Sequence, residues 1–128
     1  MSRMGVGVLN GAAKQGRVRR AGTAIGLVCV LTLTWAAYSP TLRNGFTNWD
    51  DPVYVTNNQS IRKLDSDHIQ AFFHGYCMGN YHPLTLLSYA FDYRFSSLDA
   101  RAYHRTNILL HLANTGLVFL LARLLLAN

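Results

Sequence analysis

The chain has 128 residues, half of them hydrophobic and 14% charged, and a formal net charge of +6. A pI near 9.8 would suit a nucleic-acid binder. The basic residues flank a long apolar run instead, so membrane topology explains them and no nucleic-acid partner is expected.

Residues 1–20 read as a basic cytoplasmic tail. They carry Arg3, Lys14, Arg17, Arg19 and Arg20 and no acid. A first membrane helix is predicted over 21–38, AGTAIGLVCVLTLTWAAY, with Trp35 and Tyr38 at the height of an outer aromatic belt. A cleaved signal peptide is the rival reading of this run. Its basic start and apolar middle fit, but a cut after Ala37 leaves Trp35 where a small residue is wanted; a cut after Ala36 is passable. A retained anchor is expected. The positive-inside rule then puts the N-terminus in the cytoplasm and the following loop outside.

That outer loop runs over 39–105. It holds all six acids, balanced by Arg43, Arg62, Lys63, Arg94, Arg101 and Arg105. Residues 39–58 lack helical period. Asp51-Pro52 reads as a turn and Val53-Tyr54-Val55-Thr56 as a brief extended piece. A short helix is predicted near 66–74, with Asp65-Ser66-Asp67 as cap and acidic first turn, an apolar stripe of Ile69, Phe72 and Phe73, and Gly75 as its stop. A second is predicted near 83–96, opened by Pro83. Thr85, Ser88, Asp92 and Ser96 make one stripe along it, and Leu84, Leu87, Phe91 and Phe95 an apolar one beside it. It is too short to span, and should lie at the membrane surface or against other helices. Leu98 to Tyr103 then turns the chain into a second membrane helix over 106–126.

At about 1.5 Å per residue, the two spans reach about 27 Å and about 31 Å, against a hydrocarbon core of about 30 Å. The fold class is therefore α: a multi-pass membrane protein of two transmembrane helices, joined by a large outer loop with two short surface helices. Two helices and such a loop bury little core unaided. Together with the end at 127–128, directly after the second span, this makes the chain read as the front of a larger protein. Cys29 in the first span and Cys77 in the loop are too far apart for a disulfide.

Several residue groups could carry chemistry. Asp50 and Asp51, adjacent carboxylates outside a membrane, could act as a general base or hold a cation that bridges a phosphate. Ordinary turn chemistry, with Asp before Pro, is the favoured reading of the dipeptide taken alone. His82 precedes a helix N-terminus, where backbone N–H groups favour an anion such as phosphate; a loop His with no partner is the plain alternative. His104, Asn107, His111 and Asn114 recur on one face of the second span. They could wall a substrate cavity or simply hydrogen-bond between helices. His74, Cys77 and His82 match no strong metal spacing, and no metal ligand is assigned. Asn58-Gln59-Ser60 is a glycosylation sequon, meaningful only in a eukaryotic secretory pathway.

The order of these motifs resembles the N-terminus of the membrane glycosyltransferases of the C-type superfamily, GT-C, such as protein O-mannosyltransferases and lipid A aminoarabinose transferases. Those begin with an N-in helix, a large outer loop with an acidic pair and two surface helices, and a returning helix. Asp50-Asp51-x-x-Tyr54 is similar to their acidic motif. His82-Pro83-Leu84 is similar to their H-P-P-L or K-P-P-L, with one Pro fewer. The strongest likeness is to the branch with tetratricopeptide repeats, through Phe46 to Tyr54, Asn80 to Thr85 and Tyr103 to His111.

The resemblance implies an incomplete GT-C membrane domain that lacks further membrane helices and downstream repeats. It implies transfer of a sugar, with inversion, from a polyprenyl-phosphate donor in the membrane lipid to a protein or glycan acceptor on the outer face. Asp50 would be the base and Asp51 its supporting acid. Tyr54, His82, His104, Asn107 and His111 would line the donor and substrate side. A divalent cation is a candidate cofactor, since metal dependence varies in the superfamily. A bacterial inner membrane is expected before an endoplasmic reticulum. As a fragment alone the chain is expected to be inactive. The alternative is a non-enzymatic two-helix anchor, an assembly subunit or a truncated remnant.

Overall fold

The computed structural model describes residues 3–126; the expected ends, 1–2 and 127–128, lie outside them. Four helices follow in order: α1 Arg3–Tyr38, α2 Ser66–His74, α3 Pro83–Ser96 and α4 Ala100–Leu126. Tight 3-10 turns occupy Ser39–Arg43 and Ser60–Arg62, and a wider π turn occupies Pro52–Thr56. Among the described residues there is no strand, only an antiparallel bridge between Cys77 and Asn80.

Two helices are long and apolar enough to cross a membrane: α1 from Arg19 onward, and α4. The most apolar stretch of α1 has none of its residues buried, and that of α4 has 6%. Helices this greasy in a soluble core would be mostly covered. Both predicted surface helices of the loop are present, with the expected limits.

The chain divides into two compact units. The first pairs α1, up to Ala37, with α4 from His111. Glycine lets its helices close up. A Cβ added at Gly26 would lie 3.2 Å from Cζ of Phe119, and one at Gly116 would lie 3.9 Å from Cδ1 of Leu27. The hydroxyls of Thr34 and Thr115 turn back onto the carbonyls of Val30 and His111, which satisfies them within their own helices. Cys29 in this unit and Cys77 in the other are both free.

The second unit, Tyr38–Leu110, has a core of its own. Val55, Ile61, Phe72, Leu86, Ala90, Ala102 and Tyr103 form one buried cluster, flanked by Phe46, Tyr54, Leu64, Leu87 and Tyr89. The loop is thus better packed than its turn-rich composition suggests. Helix α2 is capped as expected. Asp65 accepts from the backbone N–H of His68 at 2.9 Å, a bond that holds its carboxyl below the usual range. Of its apolar stripe only Phe72 is buried; Phe73 is exposed. Gly75 ends it in an extended conformation.

Two expectations need correction. Val53–Thr56 is not extended but lies in the π turn, closed by the Asn57 N–H on the Pro52 carbonyl at 2.9 Å. Pro52 presets the first residue of that turn, and the turn delivers Val55 into the core. The passage into α4 is not spread over Leu98 to Tyr103. Helix begins at Ala100, with Asp99 accepting from the Arg101 N–H, and the chain reverses at Ser97, where φ is 50°. That positive φ lets three residues separate two helices. Helix α3 packs through Pro83, Leu86 and Ala90, with Leu87 of the apolar stripe against the same core; Leu84, Phe91 and Phe95 stand exposed, while Asp92 of the polar stripe is 6% exposed.

Ile61 is fully buried at the centre of this unit. Ile61→Ala is expected to cost about 2–5 kcal/mol, and Phe95→Ala, at an exposed site, close to nothing. Hydrogen exchange of α2 and α3 amides in micelles checks this. Equal protection in the Ile61→Ala protein and the parent would discount the core described here.

Candidate functional site

The acidic motif sits on the rim of the Pro52–Thr56 turn. Asp50 is exposed, and its backbone carbonyl accepts from the N–H groups of Val53 and Tyr54 at 3.0 and 3.1 Å. Its carboxylate accepts no hydrogen bond among the described residues. Asp51 is half-buried and differently employed. Its Oδ2 accepts from the Thr47 N–H at 2.6 Å and the Thr47 hydroxyl at 3.3 Å. The pair therefore splits into one free carboxylate and one that fixes the turn.

Tyr54 leaves the same turn toward the second motif. Its ring lies 5.1 Å from that of His82, and its hydroxyl accepts from the Asn80 amide at 3.4 Å. Asn80 is placed by the tight turn through Met78 and Gly79, both at positive φ, that closes the Cys77–Asn80 bridge. His82 is the N-cap residue of α3, and Pro83 follows at the first helical position. Its side chain does not cap the helix; Nε2 is buried and makes no hydrogen bond. A buried imidazole nitrogen without a partner is costly to maintain, so its neighbours, Tyr54 above all, hold it in place.

Behind the acidic motif lies a buried layer. The Tyr89 ring lies tilted 6.0 Å from that of Tyr103, which makes an edge-to-face contact with Phe46 at 5.3 Å. Burial pushes the Tyr89 phenol up, and the negative charge of Asp51, then Tyr54, Asp92 and Asp50, pushes it further. Tyr89 thus keeps its proton and feels three carboxylates. One of them, Asp92, is itself buried. Its Oδ1 accepts from the Thr106 hydroxyl at 2.6 Å. Burial holds its carboxyl above the usual range, opposed by the Thr106 bond and by the charge of Arg105. The site is negative, partly desolvated and edged with neutral donors. Such a place can hold a hydroxyl acceptor near a base, or a cation near an anionic leaving group.

The remaining candidates lie on α4. His104 is half-buried, and its Nε2 has no hydrogen-bond partner. Asn107 and His111 are exposed. Neither His104 nor Asn107 has a ring contact or hydrogen bond to Tyr54 or His82. The acidic and histidine motifs are therefore brought together, and neither His104 nor Asn107 joins them by such a contact. No three His, Cys, Asp or Glu side chains among the described residues converge as metal ligands. His74 bonds the Gln70 carbonyl through Nδ1, while His82 faces Tyr54. In the sequon, Oδ1 of Asn58 accepts from the Ser60 N–H and hydroxyl, and its Nδ2 donates to the Tyr54 carbonyl.

Sequence reasoning missed Arg62, Tyr89 and the burial of Asp92. For Asp92 the signal was present: an acid between Ala90 and Tyr93, one turn past Tyr89, on the helix side that packs. No protein-family model, curated protein or solved structure matches this chain.

The Asp92 carboxyl gives a pH test. Its folded-state pKa is raised, so the folded unit binds the proton more tightly than the unfolded chain does. Stability is therefore lost as pH climbs from the ordinary carboxylate value to the raised one, and stays reduced above it. Asp92→Asn keeps an oxygen for Thr106 and removes the buried charge. The variant is expected to be more stable than the parent at pH 7, with the gap closing toward pH 4. Urea unfolding at both pH values measures it; a gap that widens in acid would reverse the assignment.

Proposed function

We propose that this chain carries the first part of a membrane glycosyltransferase of the GT-C kind. The enzyme would move a sugar from a polyprenyl-phosphate donor to a protein or glycan hydroxyl on the outer face. The observation that supports this most is the meeting of Tyr54 with His82 and Asn80, which joins two motifs more than twenty residues apart. Tyr54 is also a residue whose N–H bonds the Asp50 carbonyl, so the same turn carries the acidic motif.

In this reading Asp50 takes the proton from the acceptor hydroxyl. The acceptor oxygen attacks the anomeric carbon, and the polyprenyl phosphate leaves from the opposite side, which inverts the centre. Asp51 positions the turn that presents Asp50. His82, at the start of α3, faces the departing phosphate. His104, Asn107 and His111 belong to the donor side, which further membrane helices would complete. A divalent cation could assist the leaving phosphate. The membrane is bacterial and inner, with the N-terminus in the cytoplasm.

A second reading has its own support. Asp51 is occupied by Thr47 and Asp50 is exposed to solvent, as expected of a simple turn. On that reading the chain is a membrane anchor bearing a small folded domain.

Asp50→Asn separates them. In a full-length protein carrying this segment, the change is expected to leave folding and insertion intact and to lower sugar transfer by about 10²–10⁴-fold, the usual worth of a general base. Asp51→Asn is expected to cost less. The assay is transfer from a polyprenyl-phosphate sugar in membranes with matched expression. Turnover near that of the parent in the Asp50→Asn protein would leave the anchor standing.

Orientation is tested separately. Single cysteines at Ser2, Gln59 and Asn128, in a background without Cys29 and Cys77, are treated with an impermeant thiol reagent on intact cells. Position 59 should label and positions 2 and 128 should not. Labelling of position 2 without 59 would invert the topology.

A further inference from the structure

The middle of α1 carries a feature that sugar transfer does not use. Arg17, Arg19 and Arg20 all stand exposed on a helix that runs unbroken from Arg3 to Tyr38. They lie within one turn, along about 4.5 Å of axis. At about 100° per residue, Arg17 and Arg20 share one side and Arg19 lies on the other, so the three ring the helix. No acidic residue precedes Asp50 in the chain, and among the described residues the sole ion pair joins His68 to Asp65. The three guanidinium groups have no counter-charge.

We infer that this arginine ring binds the headgroups of acidic phospholipids. The inference rests on α1 crossing a membrane and not on the transferase reading. The apolar run begins at Ala21, the very next residue, and its length matches the hydrocarbon core. The ring then lies in the headgroup layer, whose thickness on each side is about 5–7 Å. A guanidinium offers a planar fork of N–H donors that meets a phosphate with two bonds at once. A zwitterionic headgroup brings its own cation and gains little from three more. An acidic headgroup leaves a net negative charge for the ring to balance. Because the helix continues without a break into the apolar run, the arginines stay at one height along it, unlike cations on a loose tail.

The test uses the whole chain. Its membranes are first washed with alkaline carbonate; release of the protein would overturn the spanning reading itself, and this inference with it. The retained protein is purified in mild detergent and offered equal amounts of phosphatidylglycerol and phosphatidylcholine, and bound lipid is counted by native mass spectrometry. Phosphatidylglycerol should dominate, and added salt should weaken the preference. Each basic residue near a charged surface is worth about fivefold. The triple variant Arg17→Gln, Arg19→Gln, Arg20→Gln should therefore reduce the preference by up to roughly a hundredfold. Lys63→Gln, an exposed cation in the loop and outside both apolar helices, should leave it unchanged. Equal retention of the two lipids overturns the inference, as does a preference that survives in the triple variant. Displacement of phosphatidylglycerol by an equal concentration of inorganic phosphate would do the same, since it would reveal a site for any anion.

Discussion

The guanidinium of Arg62 ties together the parts of the loop that matter. One of its terminal nitrogens donates to the Tyr93 hydroxyl at 2.6 Å, the other to the Thr56 carbonyl at 2.8 Å, and the group lies 4.8 Å from the centre of the Tyr93 ring. Thr56 ends the turn that begins beside Asp51, and Tyr93 belongs to α3, whose first residue follows His82. A single side chain therefore clamps the acidic motif's turn to the helix that the histidine motif opens. Next to it, Ile61 supplies the most deeply buried side chain of the unit. A domain of this size has few buried residues to draw on, so directional bonds of a charged donor carry more of the load than they would in a larger core.

Beside this clamp the unit also keeps a cluster of acids. Three carboxylates within reach of Tyr89 repel one another, and one, Asp92, has lost most of its water. The arrangement holds because each acid has a distinct support: solvent for Asp50, the Thr47 donors for Asp51, and the Thr106 hydroxyl for Asp92. Nearby positive charge enters from Arg105, at one edge. What remains unbalanced is a local preference for protons, cations or hydroxyl donors.

Much of this was legible in the chain itself. The two surface helices have unambiguous signals, because an Asp cap, a Pro at the first helical position and a stopping Gly act through neighbours in sequence. The spans are legible for the same reason, as continuous runs. The contacts that gather the site are not. Nothing local announces that Tyr54 will meet His82, or that Arg62 will reach Tyr93 thirty-one positions away. The π turn at Pro52–Thr56 was misread because its β-branched residues favour strands, and the choice is made by Val55 finding the core. Which side of α3 packs is not legible locally either. Leu84, Phe91 and Phe95 face outward, and the packing contact is made by the small Ala90 with Leu86 and Pro83.

Two of the seven residues in the loop's core, Ala102 and Tyr103, come from α4, the second helix long and apolar enough to cross a membrane. Tyr103 also reaches back to bond the Ser97 carbonyl at 2.9 Å, fixing the reversal between α3 and α4. The loop therefore cannot complete its interior from its own earlier residues. During synthesis, everything from the acidic motif to the end of α3 emerges before the piece that closes it. Until α4 begins, Phe46 and Tyr89 lack the ring they pack against, and Asp92 lacks Thr106. Closure of the negative site is thus coupled in time to delivery of the second long apolar helix, and a chain that stalls before residue 103 would present its motifs without the interior that aligns them.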